Sequence, residues 1–138
     1  MFETVSTTQP ESVRKILSAV NPSEADIAAV ETTYEFLLAY AAQGRTDDME
    51  GPGRKARDVI SELDSALQNI LGSLDEELAF SSVIEEDIIK TRKALALVAT
   101  RAQISSELID NLNASMHLRA VLTDLFLLSE ATRPSSTT

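Results

Sequence analysis

A chain of 138 residues, 43% of them apolar and 25% charged, is long enough to bury one sizeable core as a single folded domain. It has no cysteine, which excludes disulfides and thiolate metal sites and leads us to expect a reducing, cytoplasmic setting. A net charge of −10 opposes binding that runs on phosphate neutralisation, so neither nucleic acid nor an anionic membrane is an expected partner.

The acidity is spread along the chain: residues 1–72 hold twelve acids and six bases, and residues 73–138 hold ten and six. Residues 1–10 lack the basic and apolar regions of a signal peptide. No run reaches the ~18 apolar residues of a membrane span.

In chain order, residues 1–9 are polar and Thr-rich and read as a tail. Pro10 suits the first turn of a helix, and Val13, Ile16, Leu17 and Val20 follow at steps of three and four, a short amphipathic helix. Asn21-Pro22 ends it, because proline disfavours helix in the residue before it. Ser23 is an N-cap for a second helix over residues 24–43, with Glu24 and Asp26 near the positive end of its dipole. Its stripe is Ile27, Val30, Tyr34, Leu37 and Ala41, and Gly44 is the expected stop. Phe36 and Tyr40 lie well outside that stripe, so this helix is expected to be contacted from two sides.

Residues 45–53 form the clearest loop, ending in Gly51-Pro52-Gly53. Ala56, Ile60, Leu63, Leu67, Ile70 and Leu74 then recur at 4-3-4-3-4, the seam spacing of bundles and coiled coils. Gly72-Ser73 breaks the run, and Ser73 with Glu76 reads as a capping box for the next helix. From residue 74 to 131 there is neither glycine nor proline. Phe80, Ile84, Ile88, Leu95, Val98 and Ala102 make one stripe, and Leu108, Leu112, Leu118, Leu122, Leu125 and Phe126 another. An unbroken helix of that length would be a rod of about 85 Å. We therefore place a turn at residues 103–106, with Ser105 or Ser106 as the cap, while a continuous coiled-coil-like helix stays open. Residues 132–138 read as a Pro/Ser/Thr tail.

The expected fold is all-α, an antiparallel bundle of about four to five helices spanning residues 10–131.

Chemistry is sparse. His117 is the single histidine, and Ala114 stands where a di-iron Glu-x-x-His pair needs glutamate. No zinc site, serine elbow or other cofactor site is expected. Small, acidic, all-helical phosphotransfer domains are similar in gross properties, but Leu118, Arg119 and Ala120 depart from the residues that follow an active histidine there. Glu76-Glu77 and Glu85-Glu86-Asp87 read as solvated faces, with Glu86 and Lys90 paired at i, i+4. The loop from Asp47 fails the calcium-loop spacing, having Pro52 sixth and Asp58 twelfth. Arg54, Lys55 and Arg57 open a helix whose N-terminus is already positive. They either pair with Asp47, Asp48 and Glu50 or hold an anion.

The strongest binding signal is residues 118–128, eight of eleven apolar, an arc far wider than an ordinary surface helix shows. Leu118, Val121, Leu122, Leu125, Phe126 and Leu128, with Phe36 and Tyr40 as a weaker parallel, are the candidate protein-interaction residues. The expectation is a non-catalytic chaperone, adaptor or regulatory subunit binding a helical client segment. The partner is another protein, a second copy, or both. Self-assembly through a long helix is the alternative, and a phosphotransfer module on His117 the remote one.

Overall fold

The computed structural model describes residues 22–115 and 117–133. Among these, the chain is all-helical: α1 Glu24–Ala41, a 3-10 turn Gly51–Lys55, α2 Ala56–Ser73, α3 Ser81–Ala99, α4 Ser106–Ala114 and α5 His117–Thr132. The expected helix at residues 10–20 and tail at 1–9 lie outside the described residues, as does the C-terminal tail beyond Arg133.

Local chemistry sets the boundaries. Ser23 caps α1, its hydroxyl accepting from Asp26 N at 3.1 Å, with Glu24 and Asp26 in the first turn. The helix ends at Ala41, and Gly44 beyond it takes the left-handed φ of +69°. In α2 the seam residues Ala56, Ile60, Leu63, Leu67 and Ile70 are all buried, as the 4-3 spacing predicts. In α3 the stripe Ile84, Ile88, Leu95 and Val98 is buried likewise.

α1 packs against α2 and α4, α2 against α3, and α3 against α5. Buried side chains of all five helices form one core, with Leu37, Leu63, Ile70, Ile88, Ile109 and Leu125 among its fully covered members. Two buried threonine hydroxyls are satisfied within their own helices: Thr33 donates to Ala29 O at 2.7 Å and Thr91 to Asp87 O at 2.9 Å.

Two expectations need correction. The continuous helix left open beside the favoured turn is not realised: residues 74–131 hold three helices, one more than that turn alone gives, and no long coiled-coil helix forms among the described residues. The expected turn is present, with Ser105 as the cap, its Oγ accepting from Leu108 N at 3.0 Å. A second break at Ser115 was not anticipated. There the Ser115 N–H and hydroxyl both bond to carbonyls of the last turn of α4, so the helix can end without glycine or proline.

The Ser73–Glu76 capping box also does not form. Ser73 is the last residue of α2, its hydroxyl donating to Ile70 O at 2.8 Å. Residues 74–80 make a tight connection instead, in which Asp75 Oδ1 accepts from Glu77 N. α3 starts only at Ser81.

Candidate functional site

The apolar C-terminal segment is divided by its own helix geometry. Leu118, Val121, Leu122, Leu125 and Leu128 face inward and are buried in the core. Phe126 and Leu127 point outward, 48% and 55% exposed. Of the predicted interaction residues, then, Phe126 is the one that the fold leaves at the surface, and Leu127 joins it. Phe36 is half-buried and stacks on Tyr40 with ring centroids 6.0 Å apart.

Tyr40 itself is fully covered, because it anchors a polar hub where α1, the following loop and the start of α4 meet. Its hydroxyl donates to Ile104 O at 2.6 Å. Its own carbonyl accepts from the Ser106 hydroxyl at 2.6 Å, and that hydroxyl in turn accepts from Arg45 N at 2.8 Å. Burial, then the nearby charge of Asp48, pushes the phenol above its ordinary range.

Asp48 is the second post of the hub. It is buried, with Oδ1 accepting from Ile104 N at 2.9 Å and Oδ2 from Arg57 Nε at 3.0 Å. Burial alone would raise its pKa. The backbone N–H groups of Ile104 and of Asp48 itself, together with Arg57, outweigh that and hold the carboxyl below the ordinary range.

This hub accounts for Arg57 among the three cations. Arg57 also donates to Ala99 O, Arg101 O and Ala102 O, at 3.3, 2.6 and 3.0 Å. Because α2 and α3 are antiparallel, a cation near the positive pole of α2 stands at the negative pole of α3 and caps its orphan carbonyls. Arg54 donates to Met49 O, and Lys55 is exposed. The pairing of Arg57 with Asp48 is thus the outcome read from sequence as the alternative to an anion.

Between α2 and α3 runs a groove of about 540 Å³. Ile60, Leu95, Ile89, Ala96 and Ala99 make an apolar lining, and Arg57, Arg92, Lys93 and Asp64 stand at its edges. Arg92 crosses from α3 to α2 as a two-pronged bridge, Nε to Asp64 Oδ1 at 2.8 Å and Nη2 to Oδ2 at 3.2 Å. Lys93 has no carboxylate at ion-pair distance among the described residues. Among the described residues, α3 also carries three of the seven exposed large apolar side chains, Val83, Ile89 and Leu97, the last 70% exposed. Of the groove residues, Ile60 and Leu95 belong to the stripes read from sequence and Arg57 to the candidate anion site, whereas Asp64, Ile89, Arg92, Lys93, Ala96 and Ala99 were not singled out. Ile89 and Ala96 are seven apart and lie beside the core stripe rather than on it, which is the signal that was present.

A second feature was missed. Asp87, read as part of a solvated acidic face, is half-buried and meets Asp124 of α5. Burial, then the hydrogen bond to Asp87 and its charge, pushes the Asp124 carboxyl up to about 7. Asp124 Oδ2 is buried with no hydrogen-bond partner. Asp87 stands in register with Ile84, Ile88 and Thr91, so a polar residue on an apolar stripe was the available clue. Neither carboxyl lines the groove.

His117 opens α5 and is half-buried. Among the described residues no cluster of three or more His, Cys, Asp or Glu side chains is arranged to hold a metal ion, and no helix is long and apolar enough to cross a membrane. Compared with known proteins, the chain matches no family model, no curated protein and no solved structure.

Proposed function

We propose that this chain is a non-catalytic protein-interaction module whose α2–α3 groove receives one face of an amphipathic helix from another protein. The observation that carries the reading is the groove itself: an apolar floor flanked by exposed Ile89 and Leu97, with cations rather than glutamates at its edge. An aliphatic floor without an aromatic ring suits the i, i+3, i+4, i+7 side chains of a helix better than it suits a base or sugar ring. Arg92 and Lys93 at the edge favour acidic residues flanking the apolar stripe of that helix. The partner class is therefore an amphipathic helix with a Glu- or Asp-bearing margin.

A display library of helical peptides, panned against the full chain, tests this. Selected sequences are expected to share aliphatic residues at helical spacing with acids beside them. Ile89→Glu and Ala96→Glu are each expected to abolish their binding, and Lys93→Glu to turn the acidic preference into a basic one. Enriched peptides that bind all three variants as well as the parent chain would overturn the proposal, as would a failure to enrich any.

A further inference from the structure

We infer that a second cleft, at the connection between α2 and α3, is the docking site for this chain's own residues 11–20. The cleft measures about 680 Å³ and combines the apolar side chains Leu71, Leu74 and Leu78 with the acids Glu76 and Glu85. No cation stands among its lining residues. Ser81 also lines it. That side chain is buried, yet its hydroxyl has no hydrogen-bond partner. A buried unpaired hydroxyl loses its bonds to water without replacement, which costs on the order of 1–3 kcal/mol. The cleft therefore has an apolar wall, a negative rim and an orphan polar atom, three features that an occupant would satisfy together.

Residues 11–20 have the complementary chemistry. Their apolar positions Val13, Ile16, Leu17 and Val20 share one helical face. Arg14 flanks that face, and Lys15 adds a second positive charge, with no acid between Ser12 and Val20. In a chain of net charge −10 this is a locally basic stretch. It also enters the molecule at the right end. Asp26 of α1 accepts from Asn69 Nδ2 of α2 at 3.3 Å, so the N-terminal end of α1 lies beside the C-terminal end of α2. The described chain begins at Pro22, which is buried, four residues before Asp26 and so near the end of α2 from which the Leu71–Gly72 wall of the cleft follows. A ten-residue helix is only about 15 Å long, and residues 11–21 are ample to turn back from Pro22 and lie along this cleft. An amphipathic segment of this length is marginal as an isolated helix, so it needs such a surface to cover its apolar face. This site lies at the other end of α2 from the groove proposed to receive a partner, and neither reading depends on the other.

The absence of cysteine permits a clean test in the full chain. Ser18 lies opposite the apolar face, so Ser18→Cys carries a nitroxide label without disturbing the contact. In the labelled chain, the amides of residues 71–85 are expected to be broadened most. In the label-bearing Glu76→Lys/Glu85→Lys chain, whose substitutions are on exposed residues, that broadening is expected to fall back towards the level of the rest of the molecule. Undiminished amide signals at 71–85 would overturn the inference, as would broadening indifferent to charge reversal. A mixture of isotope-labelled chain and spin-labelled chain separates copies: broadening at 71–85 between chains would mean that a second molecule is the occupant, and would equally overturn it.

Discussion

Gly53 passes so close to Asp48 that a Cβ built on it would stand 2.9 Å from Asp48 Cα and 3.1 Å from its carbonyl carbon. Those are backbone atoms, and Asp48 has nowhere to go, because Ile104 N–H and Arg57 hold its carboxylate. Gly53→Ala is therefore expected to destabilise the fold by about 1–3 kcal/mol, the usual cost of forced overlap. Gly72 meets nothing within 4 Å and sits in the last turn of α2. Gly72→Ala is expected to gain about 0.4–1 kcal/mol through the unfolded chain. Urea midpoints at unchanged slope give both values, and a Gly53→Ala midpoint equal to that of Gly72→Ala would show the hub to be pliable. From sequence, Gly53 was legible as a turn residue and Asp48 as one acid in an acidic loop. What stayed hidden was their closeness and the reach of Asp48 to Ile104, 56 residues on, which local spacing does not encode. Arg57 was legible as an oddity, a cation at the wrong pole of its helix, but the helix end that it serves belongs to α3.

At the scale of elements, α3 and α5 are joined across a carboxyl pair, and this gives the fold an opposing response to pH. Asp124 has a folded pKa of about 7 against an ordinary 3.8. Between those values the native state holds a proton that the unfolded chain has lost, so the stability due to this group is full below pH 3.8 and declines as pH rises through about 7. Asp48 works in the other direction. Its lowered pKa contributes stability above the ordinary 3.8, and that contribution is lost as pH falls through its folded value. The thermal midpoint is thus expected to fall from pH 5 to pH 8. Asp124→Asn, which cannot ionise, is expected to flatten that slope and to melt higher than the parent at pH 8. A variant that keeps the parent's slope would place its origin elsewhere. The helices themselves were largely legible: seams at 4-3 spacing, the Ser23 and Ser105 caps and the Gly44 stop each have a local cause. The Ser115 break and the 74–80 connection were not, because both are closed by backbone and hydroxyl bonds available to almost any polar sequence. Periodicity also missed the meeting of Asp87 and Asp124, since it finds faces but not which faces meet.

For the whole molecule, the decisive quantity is how much apolar surface the fold leaves uncovered, and where. The composition of residues 118–128 suggested that α5 carries the excess, yet its inward stripe is absorbed by the chain's own core. Leu125 is fully buried and Leu127 is 55% exposed two positions later. Leu125→Ala is accordingly expected to cost about 2–5 kcal/mol, and Leu127→Ala well under 1 kcal/mol. Phe126 and Leu127 alone are a small patch beside the roughly 1,200–2,000 Å² that a stable interface buries. The groove adds exposed Ile89, Ala96 and Ala99 of α3 above the covered Ile60 of α2, and exposed Leu97 stands on the same helix. If α5 were the contact surface, replacing Phe126 and Leu127 together by serine would cost the chain its binding or its association. We expect instead that the double variant keeps its sedimentation coefficient at micromolar concentration and still captures the helical peptides selected on the groove. Ile89→Glu is expected to lose those peptides with its own sedimentation unchanged. A parent chain that sediments as a dimer, and becomes monomeric in the serine variant, would move the interaction from the α2–α3 groove to the outer face of α5.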